Sequence, residues 1–345
     1  MDEKIEISSL EICELDQKIL GIGEKSFRAK QIFEWIHKKN VWDFGQMTNL
    51  SLELRQKLQD NFFIAHMDIL KKIDCGDSTI KFLSRLDDSN VIESVIMQYS
   101  YGNTVCISTQ VGCRMSCKFC ASTFNGLKRN LTAGEMCSQV YLANKILPVS
   151  NIVLMGSGEP LDNYDNTLKF LRIINSADGL NIGQRHITLS TCGLVEKIYA
   201  LAEENLQITL AISLHAPNDL LRQKIMPIAN KYKIGDIIKA CRFYFAKTKR
   251  RITFEYVLID KLNDTKEAAY ELVSLLKNLS CHVNLIPINE VDGKNFKKST
   301  QQNQNEFMKI VSSVATVTLR RKLGDNINAA CGQLRHSYLK NKAGD

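Results

Sequence analysis

A chain of 345 residues with 44% hydrophobic content can build a full core, as one large domain with an appendage or as two domains. No run approaches the roughly 20 apolar residues that span a bilayer, and the charged start Met1-Asp-Glu-Lys4 has no apolar signal segment behind it. Membrane and secreted classes are therefore set aside, a cytoplasmic protein is expected, and the formal charge of +8 points to an anionic partner, nucleic acid first.

In chain order, the first 75 or so residues read as helical. Phe27, Ile32, Phe33 and Ile36 form one apolar stripe, and Leu54, Leu58 and Phe62 form another at i, i+4, i+8. Near residue 79 the period changes, and Ile80, Phe82 and the stretch 91–97 read as strands. From residue 104 strands and helices alternate. Strand-like runs fall at 104–109, 151–155, 187–190, 207–213, 252–259 and 282–288, with a further one at 315–319. Helical stretches lie between them near 166–175, 194–204, 234–247 and 265–279, and one opens on the capping-box pattern Thr132-Ala-Gly-Glu135. Strand–helix units in series imply a parallel sheet. Six are too few for a closed eight-stranded barrel, so the expected fold is α/β: an open, partial (β/α)6 barrel. The expected organisation is a small helical accessory domain over residues 1–78 and a core over 79–345.

Eleven cysteines in a reducing compartment argue for metal or catalytic use over disulfides. Three of them stand in Cys113-Arg-Met-Ser-Cys117-Lys-Phe-Cys120, in the loop after the first parallel strand. A structural zinc site normally closes with four ligands, often as two CxxC-like knuckles, and no second knuckle is visible. Thiolates also hold iron–sulfur clusters. Three ligands on a 4Fe–4S cluster leave the fourth iron for an outside group, and this spacing resembles that of the radical S-adenosylmethionine (SAM) enzymes, in which SAM takes that position. One βα unit later comes Gly156-Ser-Gly158-Glu159-Pro160, where glycines permit close backbone approach and a carboxylate can hold an ammonium. Ser190, Ser213, His215 and Asn289 stand at later strand ends, where parallel barrels place their chemistry.

Taken together, these motifs resemble those of the RlmN family of radical SAM RNA methyltransferases, whose near relative is the Cfr methyltransferase. The resemblance runs over nearly the whole chain. It rests on Phe27-Arg-Ala-Lys-Gln-Ile32, Cys106-Ile-Ser-Thr-Gln-Val-Gly-Cys113, Asn130-Leu-Thr132, Met155-Gly-Ser-Gly-Glu-Pro160, Ser213-Leu-His215, Arg250-Arg-Ile-Thr-Phe-Glu255 and Asn328-Ala-Ala-Cys331-Gly-Gln-Leu334. It implies methylation of adenine carbon 2 in 23S rRNA at the peptidyl-transferase centre and in tRNA just 3′ of the anticodon, with two SAM molecules per turnover. It places the 4Fe–4S ligands on Cys113, Cys117 and Cys120, and SAM contacts on Gly158, Glu159, Ser190, Ser213, Leu214, His215 and Asn289. The methyl-carrying cysteine falls on Cys331, the second catalytic cysteine on Cys106, and the proton acceptor on Glu93. It further implies an electron donor such as flavodoxin or ferredoxin, and a monomer is expected. Two positions depart from the family pattern: Ser157, where many members have Met, and Lys261, where Gly is frequent. The rival within the enzyme class is Cfr-like methylation of adenine carbon 8. The rival outside it is a non-catalytic, metal-stabilised RNA-binding protein.

Basic clusters at Lys128-Arg129, Lys247 to Arg251, Lys297-Lys298, Arg320-Arg321-Lys322 and Arg335 to Lys342 are candidate RNA contacts, and short runs of this kind also occur as solvated surface charge.

Overall fold

The structure, a computed structural model, describes residues 4–289, 295–320 and 333–342. It begins with a short strand β1 (Ile5–Glu6), then α1 (Ile12–Gly21), α2 (Phe27–His37), α3 (Leu52–Asn61) and β2 (Phe62–Phe63), which pairs parallel with β1. Ile32, Phe33 and Ile36 of α2 are buried, as their spacing predicts, whereas Phe27 at the head of the same stripe is 53% exposed. The α3 stripe holds through Leu54 and Leu58 and then stops. Phe62 is buried but extended, at φ −132° and ψ 162°, and closes the helix.

Four antiparallel strands follow: β3 (Met67–Asp74), β4 (Thr79–Leu86), β5 (Val91–Tyr99) and β6 (Gly102–Cys106). Strand β3 corrects the helical reading that ran to about residue 75. It is the edge of the sheet, and only Met67 among its residues is buried. Exposed Asp68, Lys71, Lys72 and Asp74 blunt that edge and erase the alternation that would have marked a strand. The helical segment therefore ends before residue 78.

A hairpin of β7 (Gln110–Gly112) and β8 (Leu127–Asn130) comes next. Then α4 (Ala133–Ile146), β9 (Val149–Leu154), α5 (Tyr164–Asn175), β10 (Ile187–Thr191), α6 (Val195–Glu203) and β11 (Thr209–Ser213) alternate. The rest is α7 (Asp219–Ile225), α8 (Ile234–Thr248), β12 (Ile252–Leu258), α9 (Lys266–Leu276), β13 (Cys281–Pro287), α10 (Gln301–Val311), β14 (Thr316–Leu319) and α11 (Gln333–Lys342). The strands form one ten-stranded sheet in the order β14-β13-β12-β11-β10-β9-β6-β5-β4-β3. From β6 to β14 every pairing is parallel. The sheet has two edges, as expected for an open, partial α/β barrel, and is extended by the β3–β5 meander.

Helix α4 joins the N-terminal helices to the barrel. Its capping box forms as the sequence predicts: Glu135 N–H donates to Thr132 Oγ1 at 3.1 Å, and Thr132 N–H donates to Glu135 Oε2 at 3.0 Å. Thr132 Oγ1 also donates to Glu6 Oε1 at 3.1 Å, and Gly134 N–H donates to Ser9 Oγ at 2.8 Å, which docks the first segment on the helix start. Farther along, His37 Nδ1 meets Tyr141 Oη at 2.7 Å inside the core.

Burial holds the His37 ring neutral, with its pKa pushed down to about 3, and does the same to His215, where the Arg222 charge adds to the effect. The unfolded rings titrate at their ordinary 6.5, so the folded state binds fewer protons below that value. The stability from both rings is therefore complete above about pH 6.5 and is lost as pH falls toward 3. Unfolding free energies from denaturant titrations are expected to drop across this window, by up to about 1.4 kcal/mol per pH unit for each ring. His37→Gln, which can still bond Tyr141 but cannot titrate, is expected to flatten part of that slope.

Candidate active site at the strand ends

The cysteine loop is strung between β7 and β8. Cys113 N–H donates to Gly126 O at 3.0 Å, Lys118 N–H to Ile225 O at 2.8 Å, and Thr123 Oγ1 to Cys120 O at 2.9 Å. Arg114 pairs with Asp162, and Ser116 turns the chain at φ +57°. The loop is thus tied to α7 and to the loop after β9 through the Lys118 backbone and the Arg114 side chain.

All three thiols line one cavity of about 300 Å³. Gly158, Glu159, Ser190, Ser213, His215 and Asn289 line the same cavity, so six of the seven expected SAM contacts meet the three expected cluster ligands. Among the described residues no group of three His, Cys, Asp or Glu side chains is placed to hold a single metal ion. The ligands of a polynuclear cluster sit on separate irons and stand farther apart than the ligands of one ion. Three soft thiol donors lining one cavity fit the ligand set of a 4Fe–4S cluster. Burial pushes the Cys113 thiol up to about 12 and raises Cys117 as well, so binding iron must displace their protons.

The loop after β9 packs directly on the chain leading to the cysteines. A Cβ on Gly156 would lie 2.6 Å from Ile107 O, and one on Gly158 would lie 2.7 Å from Gln110 N at φ +113°. These glycines serve close packing of two backbone segments. Between them, Ser157 N–H donates to Ser108 Oγ at 3.0 Å, while the Ser157 hydroxyl is buried with no hydrogen-bond partner. Glu159 is 3% exposed, and its carboxylate accepts Cys192 N–H at 2.7 Å and Leu161 N–H at 3.1 Å. Burial still raises its pKa above the ordinary carboxylate value. This carboxylate joins the β9 loop to the turn after β10.

His215 holds a left-handed backbone at φ +57°, an uncommon state for a side-chain-bearing residue. Its Nδ1 accepts Val257 N–H at 3.0 Å, which leaves Nε2 of the neutral ring as the donor, and Phe119 of the cysteine loop packs on it edge-on at 5.0 Å. Ser190 and Ser213 face each other across adjacent strands at 3.4 Å. Leu214 is different. Its side chain is fully buried in the core and does not line the cavity, while its carbonyl accepts from Arg222. Glu255, which stands in a sequence motif with no role expected of it, lines the same cavity. Burial pushes its carboxyl up to about 6, against a 2.8 Å hydrogen bond donated by Asn284.

Glu93 and Cys106 lie beside the cavity. Strand pairing sets Val95 opposite Cys106, so Glu93, two residues before Val95, shares the sheet face of Cys106. Cys106 packs with Val95, Met97, Val153 and Met155, and Met155 lines the cavity. Glu93 is 4% exposed, and its Oε2 accepts Arg335 N–H from α11 at 3.1 Å. Arg335 Nε donates to Val91 O at 2.6 Å, and His336 stacks on Phe124, just past the cysteines. Helix α11 is therefore bound to both β5 and the cysteine loop. Arg335 is buried, which removes it from the candidate RNA contacts, and Arg129 is likewise engaged, by Glu135 and Asp88. Cys331 lies outside the described residues, as do Arg321 and Lys322.

Comparison with known proteins agrees with this geometry. Residues 5–64 match the family described as ribosomal RNA large subunit methyltransferase N-terminal domain, and residues 107–273 match the radical SAM superfamily. A relative from Clostridium perfringens is 56% identical over 333 residues, covering 95% of this chain and 96% of its own, and carries the name "Probable dual-specificity RNA methyltransferase RlmN". One of the same name from Lachnoclostridium phytofermentans is 54% identical and covers 97% of this chain and 96% of its own. A crystal structure of a radical SAM methyltransferase from Sphaerobacter thermophilus superposes with a TM-score of 0.89 at 43% identity, covering 95% of this chain and 98% of that one. With the barrel, the thiol-lined cavity and near full-length identity all in agreement, this chain belongs to the RlmN family of radical SAM RNA methyltransferases.

Proposed function

We propose that this enzyme methylates carbon 2 of adenine in 23S rRNA and in tRNA next to the anticodon, through an S-methylated Cys331. One observation carries the reading: three thiols and six expected SAM contacts line a single cavity, with Glu93 and Cys106 on the adjoining sheet face. A 4Fe–4S cluster on Cys113, Cys117 and Cys120, with SAM beside it, supplies radical chemistry when bound. That chemistry is needed because adenine carbon 2, between two ring nitrogens, is too electron-poor to displace a methyl group from SAM.

The protein's own residues orient and release. Glu159 and Gly158 hold the amino-acid end of SAM, and Ser190, Ser213, His215 and Asn289 hold the rest. Cys331 carries the methyl carbon to the adenine and remains linked to it. Glu93 takes the ring proton. Cys106, as its thiolate, attacks the sulfur of Cys331; the S–S bond forms as the C–S bond breaks, and the freed carbon, which keeps the electron pair, takes up a proton to become the methyl group of the departing RNA. We further propose a cytoplasmic monomer that receives electrons from a flavodoxin or ferredoxin. No helix among the described residues is long and apolar enough to cross a membrane.

Anaerobic incubation of reconstituted protein with SAM, reductant and either unmodified 23S rRNA fragment or tRNA tests this, read by nucleoside mass spectrometry. 2-Methyladenosine from both RNAs is expected. 8-Methyladenosine would move the protein to Cfr-like chemistry, and SAM cleavage without any methylated adenosine would overturn the substrate assignment.

A further inference from the structure

Arg222, on α7, is fully buried, and its guanidinium spends its hydrogen bonds on backbone carbonyls. Nη2 donates to Cys192 O at 2.6 Å and to Ser213 O at 3.2 Å, Nε to Leu214 O at 3.1 Å, and Nη1 to Tyr232 O at 3.4 Å. The first three acceptors belong to the turns that end β10 and β11, where Cys192 and Ser213 line the cavity. The same helix ends at Ile225, whose carbonyl accepts Lys118 N–H from the cysteine loop at 2.8 Å. One short helix therefore fixes the SAM-facing turns and the cysteine loop relative to each other.

A buried cation ordinarily finds a carboxylate, because desolvating an uncompensated charge is costly. Here Asp219 acts on Arg222 only through space, and its Oδ1 is engaged by Ile234 N–H at 2.9 Å. The other groups that act on this charge are the thiols of Cys117 and Cys192. Of these, Cys117 becomes a full anion when it ligates iron.

We infer that Arg222 is a positioning residue with an electrostatic role: it holds the turns after β10 and β11 against the cysteine loop, and its fixed charge favours the reduced, more negative cluster. The physical lever is net charge near the cluster, one of the terms that set iron–sulfur potentials. The inference rests on the proposed placement of the cluster on Cys113, Cys117 and Cys120.

The test uses full-length reconstituted protein, with the cluster's midpoint potential measured by spectroscopically monitored redox titration and SAM affinity by anaerobic calorimetry. In Arg222→Met the equilibrium constant for reduction is expected to fall at least tenfold, which for one electron is about 59 mV more negative. Arg222→Lys keeps the charge but not the planar fork. Its potential is expected to remain well inside that tenfold window, while SAM affinity drops in both variants. An Arg222→Met protein that holds its iron at the wild-type potential would overturn the inference. If that variant does not fold, Arg222→Lys decides alone: a tenfold displacement with the charge retained would equally overturn it, and a retained potential with weakened SAM binding supports it. Wild-type protein that assembles no 4Fe–4S spectrum would remove the cluster placement itself, a failure visible before any variant is compared.

Discussion

Replacing Cys106 with alanine is expected to halt the reaction at a covalent protein–RNA adduct. Cys106 is 4% exposed on β6, with its sulfur among Val95, Met97, Val153 and Met155. Removing one sulfur from a packed apolar face leaves only a small void, so the fold and the cluster should survive. In the proposed mechanism, methyl transfer to Cys331 and addition to adenine do not use this thiol, whereas release does, because the carbon–sulfur bond breaks as a second sulfur takes the Cys331 sulfur. Labelled RNA should therefore comigrate with the protein on a denaturing gel and yield no free methylated nucleoside. Cys331→Ala should give neither adduct nor product while SAM is still cleaved. Free methyladenosine at the wild-type rate from the Cys106 variant would remove Cys106 from the mechanism, and from the Cys331 variant would do the same for Cys331.

The second large effect is expected from Glu159→Gln. The carboxylate is almost fully buried and accepts two backbone N–H groups, from Cys192 and Leu161. An amide offers one oxygen and sets an NH2 donor against the other N–H. Hydrogen bonds to a charged group are worth about 1.5–3 kcal/mol each, and leaving a buried donor unmade costs a comparable amount. The turn after β10, which carries Ser190 and Cys192, should loosen at the moment the SAM ammonium loses its counter-charge. SAM affinity is expected to fall by about 10- to 100-fold at unchanged iron content, since each 1.4 kcal/mol is tenfold. Binding within about twofold of wild type would show that the ammonium is held elsewhere.

Much of this site was legible in the sequence because its parts are local. Three cysteines in eight residues, a Gly-Ser-Gly-Glu run and the Thr132…Glu135 box each announce themselves within one turn or loop. The parallel strands announced themselves as apolar runs because both faces of such a sheet are covered. What escaped was set by long-range contacts. Strand β3 carries charge on an edge and shows no alternation. Helix α7 is seven residues long, too short for a periodic stripe, and Arg222 within it reads as an ordinary surface cation although it is fully buried. The role of Gly156 and Gly158 also changed. The sequence suggests room for a ligand, whereas the neighbours that forbid a side chain are Ile107 and Gln110. Leu214 sits within a motif of ligand-facing residues, yet its side chain belongs to the core.

The contact between α11 and β5 bears on how the enzyme is made. Glu93 accepts the backbone N–H of Arg335 across 242 residues of chain, and the Val91 carbonyl accepts that residue's side chain across 244. Synthesis runs from the N-terminus, and earlier segments fold while later ones are still being added. The meander and the cysteine loop can form on the ribosome before residue 335 exists. During that interval the proposed proton acceptor lacks the N–H that anchors it, and Cys331 has not been translated for most of it. Translation order thus leaves Glu93 without its anchor until helix α11 is made, so the proposed proton acceptor is set in place last.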